Sequence, residues 1–575
     1  MNAARVRVSS LDGWVRHAAA IALSALLVRA GAQVESPWHL LFGVSLVPWL
    51  AALDALERDR QALISGVAMC LAFVALVFSW FARAISGYAD APLATGWIAL
   101  LVSAPILEPQ LLVFAVVRVR ARRALGASSW GSIAWISISA WIACDALWPK
   151  LFADGLGTGL HASPRMRQAA DLASVPGLTF AVLWVNELLW WAFRRARGAA
   201  HPRARARAAA PALAGALAVP ALLHAYGAIR LAELAQAPAD APVRVAIVQA
   251  DVSQYDRMAA RHGTWEATRR ILDAHLELSR AATAAAPVDW LVWPETVYPL
   301  TFGSPRTGDA DLFDGEISEL VATQGVPLLF GAYEAEGDHE YNAAFFLTLE
   351  SPAPPVPSPG LLQLGYDVYR KSRLFPFTER LPGFLESEWL RAWLPWAGAW
   401  RPGSGALRVD IRLGDGRVLP VAPLICYDAL DAGLAAGAGR SGARVIATLS
   451  NDSWFSEGAG PRLHLVQSAF RSIETRLPQV RSTNTGISAL IDTTGEIVRE
   501  TAVHDRVTLT GELRPRAADL RFAAGGGRWL AWALLASAAG VVAVARARRS
   551  GSSERGAGAR GERWDPPARA AETGP

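Results

Sequence analysis

At 575 residues the chain exceeds the roughly 250–300 residues at which a single hydrophobic core stops growing, so more than one domain is expected. Hydrophobic residues make up 52% and the mean hydropathy is +0.23, which excludes an ordinary soluble protein of this size. The net charge of +5 and pI near 9.3 do not point to nucleic acid, because the arginines cluster beside apolar runs and no basic module with interleaved aromatics occurs.

A membrane-spanning helix needs about 20 mostly apolar residues. Runs of this kind fall near 15–33, 37–54, 62–82, 95–117, 130–149, 174–193 and 209–229, with one more near 527–545, so about eight spans are predicted. The first lacks the small-residue cleavage site of a signal peptide, and further spans follow it at once. Arg5, Arg7 and Arg16 precede the first span, and Arg58 and Arg60 follow the second. Arg118, Arg120, Arg122 and Arg123 follow the fourth, and Arg194, Arg195, Arg197, Arg203, Arg205 and Arg207 follow the sixth. Arg546, Arg548 and Arg549 follow the last. Cytoplasmic loops carry the excess of basic residues, so these clusters share the cytoplasmic side and residues 230–526 are expected outside it. Glu108, Asp145 and Glu187 lie within predicted spans, where ionisable groups are costly. They line an interior surface on this reading, although a membrane edge also suits Asp145 and Glu187.

The predicted units are a membrane domain over 1–235, a folded domain over 243–515, a final span at 527–546 and a disordered cytoplasmic tail at 550–575. After a Pro/Ala linker at 235–241, a strand is predicted at 243–249 and a helix at 262–286. Further strands are predicted at 289–293, 327–331, 343–348, 419–425, 444–449 and 487–491, with helices at 315–323 and 461–476. Alternating apolar strands and helices indicate an α/β domain. The stretch 351–360 reads as a loop.

Three segments of this domain have one form, an apolar run ending in a chemically capable side chain. They are Leu291-Val-Trp-Pro-Glu295, Tyr369-Arg-Lys371 with Glu379 following, and Leu424-Ile-Cys426-Tyr427-Asp428. Active sites of α/β sheets assemble at the carboxyl ends of strands. Alone, Glu295 or Lys371 reads as a solvated charge, and Cys426 as either packing or chemistry. Cys70 and Cys144 sit in apolar runs, so Cys426 has no partner for a disulfide within its domain. No zinc-type Cys/His spacing surrounds it. Neither a metal nor a cofactor is called for. His464, beside Asn451–Phe455, is expected to be a satisfied structural histidine.

Together, in this order, the motifs resemble those of the carbon–nitrogen hydrolase (nitrilase) family over residues 243–512. WPET surrounds Glu295, YRKSRLFPFTERLP surrounds Lys371, LICYD surrounds Cys426, and SNDSWF runs from Ser450 to Phe455. With about seven spans before the domain and one after it, the chain is similar to the apolipoprotein N-acyltransferase family of bacterial envelopes. The resemblance implies an αββα sandwich beside a polytopic helical domain. It further implies a Glu295–Lys371–Cys426 triad, in which Cys426 is the nucleophile, Glu295 the general base and Lys371 the oxyanion partner. Glu379, Tyr427, Asp428 and Asn451 are the expected supporting residues. Asp428 stands where that family usually has Glu, and Thr378 where it has Gly. The implied reaction takes an acyl chain from a phospholipid through a Cys thioester to the α-amine of diacylglyceryl-modified apolipoproteins. It is placed in a bacterial inner membrane, with the catalytic domain of a monomer on the periplasmic side. The competing readings are a membrane-bound amidase acting on a small molecule and a non-catalytic scaffold. Trp389, Trp393 and Trp396 crowd a segment between the Lys and Cys motifs. They form either a lid dipping into lipid headgroups or a cover on the domain's own core.

Overall fold

Among the described residues, six helices are long and apolar enough to cross a bilayer: Leu11–Gly31, Asp59–Val77, Trp130–Leu147, Met166–Arg197, Pro202–Gln236 and Arg528–Ala547. A seventh crossing is the pair Leu93–Leu107 and Pro109–Leu125, bent by 48°. The computed structural model describes residues 11–252, 255–337, 339–348, 364–394, 397–455 and 458–558. Arg5, Arg7, the loop expected at 351–360, Trp396 and the tail beyond 558 lie outside the described residues.

Several predicted spans are realised differently, each for a local reason. The run at 37–54 is a 3-10 turn, Trp38–Gly43, followed by the short helix Val47–Leu53, because Gly43 and Pro48 interrupt it. It still carries the chain from Phe42, which packs against Gly31 and Gly159, to Asp54, which meets Arg118 and Arg194. The run at 62–82 divides at Phe78 into Asp59–Val77 and Ser79–Tyr88. The run at 95–117 bends at Glu108, where Pro109 supplies no N–H to continue the ladder. The expected tail also differs, because the final helix continues from Arg528 to Gly558. Its Ala- and Arg-rich turns favour helix, so composition alone misplaced the boundary.

Arg118, Arg120, Arg123 and Arg194 collect around Asp54 and Asp59 at one end of the helical bundle. Arg118 pairs with Asp54 at 3.0 Å and with Glu187, while Arg120 and Arg123 reach Asp59 at 2.9 and 2.7 Å. The opposite end of the Pro109–Leu125 helix lies beside Lys150, which meets Glu108 at 3.4 Å. Glu108, Asp145 and Glu187 are all paired within the bundle, Asp145 with Lys150 at 2.9 Å.

The remaining domain is two sheets faced by helices. The 7-stranded sheet runs in the order Val507–Leu513, Val243–Gln249, Trp290–Val292, Leu328–Glu336, His339–Thr348 and Gly365–Arg370, with Tyr298–Thr301 paired to the fourth of these. The 6-stranded sheet runs Ile497–Glu500, Ala489–Ile491, Gln479–Thr483, Val445–Ser450, Val418–Ile425 and Val409–Arg412. Strand alternation sorts the core. Val245, Ile247 and Val292 meet Val421, Ile425 and Leu449 between the sheets. Ala246 and Val248 face the outer helices Thr264–Ala285 and Gly308–Gln324. Ala422 and Leu424 face the helix Ala432–Arg440 on the other side, and Leu465 and Ala469 of Ala459–Thr475 cover Ala489 and Ile491. The result is an αββα sandwich.

The sandwich is seated on the end of the bundle away from the arginines. Arg476, fully buried, reaches Asp171 at 2.6 Å and the Gln168 side chain at 2.5 Å. His161 Nε2 bonds the Gly495 carbonyl at 2.9 Å, and Tyr427 donates to the Leu151 carbonyl at 2.7 Å. In the helix Ala170–Arg197 the backbone breaks at Ala173 and Ser174, ahead of Pro176, and the Ser174 hydroxyl bonds Glu474 of the sandwich.

Candidate active site

Glu295 follows a strand that Pro294 ends, and Gly331 on the neighbouring strand lets the turn pass close over it. A Cβ at Gly331 would lie 2.5 Å from the Thr296 nitrogen. Cys426 sits where the strand Val418–Ile425 enters the 3-10 turn Cys426–Leu430. Its φ of +48° is a left-handed conformation that costs a non-glycine residue about 1–3 kcal/mol. Asp428 holds that turn. Its carboxylate accepts from the backbone N–H of Ile425 at 3.0 Å and Arg373 at 2.6 Å, and from the Tyr369 hydroxyl at 3.0 Å. It therefore ties the cysteine turn to the segment after Lys371. Burial pushes its carboxyl up to about 7, against the pull of Lys371 and these donors.

Glu295, Lys371 and Glu379 converge. Lys371 Nζ donates to Glu295 Oε1 at 2.9 Å and to Glu379 Oε1 at 2.7 Å. Asn342 Nδ2 bridges the same two oxygens at 2.7 and 3.3 Å. The Asn451 backbone N–H donates to Glu295 Oε2 at 2.7 Å, and Phe375 N–H to Glu379 Oε2 at 2.7 Å. Burial pulls the Lys371 ammonium down, but Glu295 and Glu379 outweigh it and hold it well above its ordinary value. Burial and the charge of Glu295 push the Cys426 thiol up, with Lys371 opposing. That direction favours the neutral thiol, and a thiol acts as a nucleophile only once a base takes its proton. A carboxylate is the residue type that can take such a proton and an ammonium the type that can meet a developing oxyanion, and Glu295 and Lys371 are paired here. Sequence reasoning missed Asn342, a single amide at the head of an apolar run.

Cys426 opens into a cavity of about 780 Å³, counting its mouth. Tyr427, Phe375, Trp454 and Phe455 form its sandwich side, and Phe42, Phe73, Phe78, Trp80 and Phe152 its membrane side. The rings interlock: Phe455 meets Trp80 at 5.1 Å, Phe78 stacks on Phe152 at 5.5 Å, and Phe375 meets Trp454 at 5.2 Å. Tyr427 bonds the 150–151 backbone, so it serves the seam between the halves. Trp389 and Trp393, on the helix Glu388–Trp393, are 68% and 67% exposed. They do not cover the core of their own domain.

The carbon–nitrogen hydrolase family model matches residues 244–521, and the apolipoprotein N-acyltransferase N-terminal domain model matches residues 24–188. The chain is 29% identical over 528 residues to the apolipoprotein N-acyltransferase of Geobacter metallireducens, covering 88% of this chain and 92% of that one. The enzyme of the same name from Azotobacter vinelandii is 31% identical over 344 residues, with 59% of this chain and 60% of that one covered. Among solved structures, a nitrilase-superfamily protein of Saccharomyces cerevisiae aligns at 20% identity and a TM-score of 0.33, covering 48% of this chain and 92% of its own.

Proposed function

This chain belongs to the apolipoprotein N-acyltransferase family, and from that premise we infer a phospholipid-fed, two-stage transfer of an acyl chain to lipoproteins at Cys426. The enzyme is an acyltransferase of lipoprotein maturation. In the first stage Glu295 takes the Cys426 proton, and the sulfur attacks an acyl ester of the phospholipid. Lys371 stabilises the tetrahedral oxyanion. Glu295 then returns the proton to the departing glycerol oxygen, leaving a thioester and a lysophospholipid. In the second stage the α-amine of a diacylglyceryl-cysteine takes the acyl group. Glu379 and Asn342 position Lys371 and Glu295, Asn451 fixes Glu295, and Asp428 holds the cysteine turn.

One observation carries the reading: the cysteine faces a cavity whose far wall is built from membrane helices. Such a wall suits an acyl chain arriving from the bilayer, and it keeps water from a thioester that an amine must reach first. An amidase for a small polar molecule needs neither property. The gathering of arginines at the far end of the bundle supports a cytoplasmic position for that end and a periplasmic one for the sandwich, in a bacterial inner membrane. Triad and cavity come from one chain, so a monomer suffices.

Lipoproteins from cells with and without this protein provide the test. Mass spectrometry is expected to show N-acyl groups on the terminal cysteine only when the protein is present; unchanged lipoproteins would overturn the reading.

The exposed tryptophan pair supports a second element, a short helix that dips into lipid headgroups. Replacing Trp389 and Trp393 with Ser is expected to lower transfer from vesicle phospholipid about tenfold, the loss of about 1.4 kcal/mol of anchoring. Transfer from a soluble short-chain ester should be unchanged. Equal losses on both donors would assign the pair a role in folding instead.

A further inference from the structure

His464 lines the same cavity as Cys426, and the sequence gives no reason to expect it there in a chemical role. It comes from the first turns of the helix Ala459–Thr475 and is 6% exposed. Its Nδ1 lies 3.0 Å from Asp452 Oδ1. Asp452 is fixed in turn, since Ser450 donates to Oδ1 at 2.7 Å and Arg481 to Oδ2 at 2.9 Å. Arg481 Nη2 also lies 3.1 Å from His464 Nδ1. Burial favours a neutral Asp452, but Arg481 and His464 outweigh it and hold the carboxyl well below its usual range. Nδ1 has two partners of opposite kind: in one ring tautomer it donates to Asp452 and the Nε2 lone pair is free for another proton, and in the other it accepts from the Arg481 N–H and Nε2 carries the proton. Among the described residues no hydrogen bond is made to Nε2. His464 and Cys426 thus share the walls of one cavity.

Proton accounting in the second stage calls for such a group. An α-amine has a pKa of about 7.7–8.0, so much of it arrives as an ammonium at neutral pH. It must lose one proton before its nitrogen can attack the thioester carbon, and a second when the tetrahedral intermediate collapses. Glu295 can relay the second to the departing Cys426 sulfur, which restores the thiol. Its oxygens already accept from Lys371, Asn342 and Asn451, and nothing in that relay disposes of the first proton.

Resting on the acyltransferase reading above, we propose that His464, oriented by Asp452, is the catalytic base that takes the first proton from the incoming lipoprotein amine. The ammonium gives a proton to Nε2, and the neutral nitrogen forms the new C–N bond. The C–S bond then breaks, Glu295 moves the remaining extra proton to sulfur, and the imidazolium releases its proton to water. The products are an amide, a Cys426 thiol and one proton.

The test separates the two stages in the full-length protein, in phospholipid nanodiscs, with wild type, His464→Gln and His464→Asn. Asn keeps a donor near Asp452 but has no base where Nε2 stood. Both variants are expected to load Cys426 with labelled acyl chain within about threefold of wild type. Transfer from the loaded enzyme to a diacylglyceryl-cysteinyl peptide should slow on the order of 10²-fold, the usual worth of a positioned base. Hydroxylamine, an amine largely unprotonated at neutral pH, should discharge all three loaded proteins at similar rates. Transfer by His464→Asn at the wild-type rate would overturn the proposal, leaving only a positioning role for His464. Loss of loading in parallel with loss of transfer would overturn it too. Wild type that never loads Cys426 would instead overturn the acyltransferase mechanism beneath it.

Discussion

Cys426→Ala protein is expected to retain its fold and to form no acyl adduct. Incubated with labelled phospholipid, wild type should gain the mass of one acyl chain on the peptide containing Cys426, labile to hydroxylamine, and the variant none. Transfer should fall by on the order of 10⁴-fold or more, as for loss of a nucleophile that acts within a catalytic unit. The fold should survive because the sulfur borders a cavity, so removing it opens little new void, and Ala tolerates the left-handed turn about as well as Cys. The turn is held from outside by Asp428. An adduct that persists in Cys426→Ala would remove the cysteine from its role.

Lys371→Met should be worse for the protein as a whole. Lys371 is 2% exposed and holds the near oxygens of Glu295 and Glu379. Removing its ammonium leaves two carboxylates around the single amide of Asn342. Breaking a buried ion pair from one side costs about 3–5 kcal/mol. The carboxylates escape part of that cost by taking up a proton, and a protonated Glu295 cannot deprotonate Cys426. The expected outcome is a clear fall in thermal midpoint together with a loss of acyl loading of at least about 10²–10³-fold, the worth of one oxyanion donor. The pH dependence has a definite sign. The folded-state pKa of Lys371 is raised, so its stabilisation is complete below the ordinary lysine value of about 10.4 and disappears only as pH climbs through the folded value. Wild type should therefore lose no stability through this group between neutral pH and 10. Unaltered loading by Lys371→Met would exclude Lys371 from the chemistry.

The catalytic order was legible because chemistry here sits where strands stop. Pro294 and the polar residues after Ile425 mark those stops in one dimension, so Glu295 and Cys426 stand out. Asn342 does not. It heads an apolar run, and its importance comes from the pairing of His339–Thr348 with Gly365–Arg370, which sets Lys371 N–H on the Asn342 carbonyl at 2.8 Å. Pairing register is a property of the sheet, and hydropathy carries no trace of it. The membrane wall of the cavity was hidden for a related reason. Phe42, Phe78 and Trp80 read as ordinary residues of apolar runs, and only the break at Phe78 and the short turn at Trp38–Gly43 bring them to one place. His464 reads as a structural histidine because its place on the cavity wall leaves no local signal in the sequence.

The seam around Arg476 also bears on the site. Arg476, with 0% exposure, gives up its water for Asp171 and Gln168 of the bundle, so its burial and its pairing arise together when the halves meet. The wall that shelters the thioester also belongs to the bundle. Cys426 therefore has its apolar pocket only when the two halves are in contact. The cavity is thus a property of the assembled seam and of neither half alone.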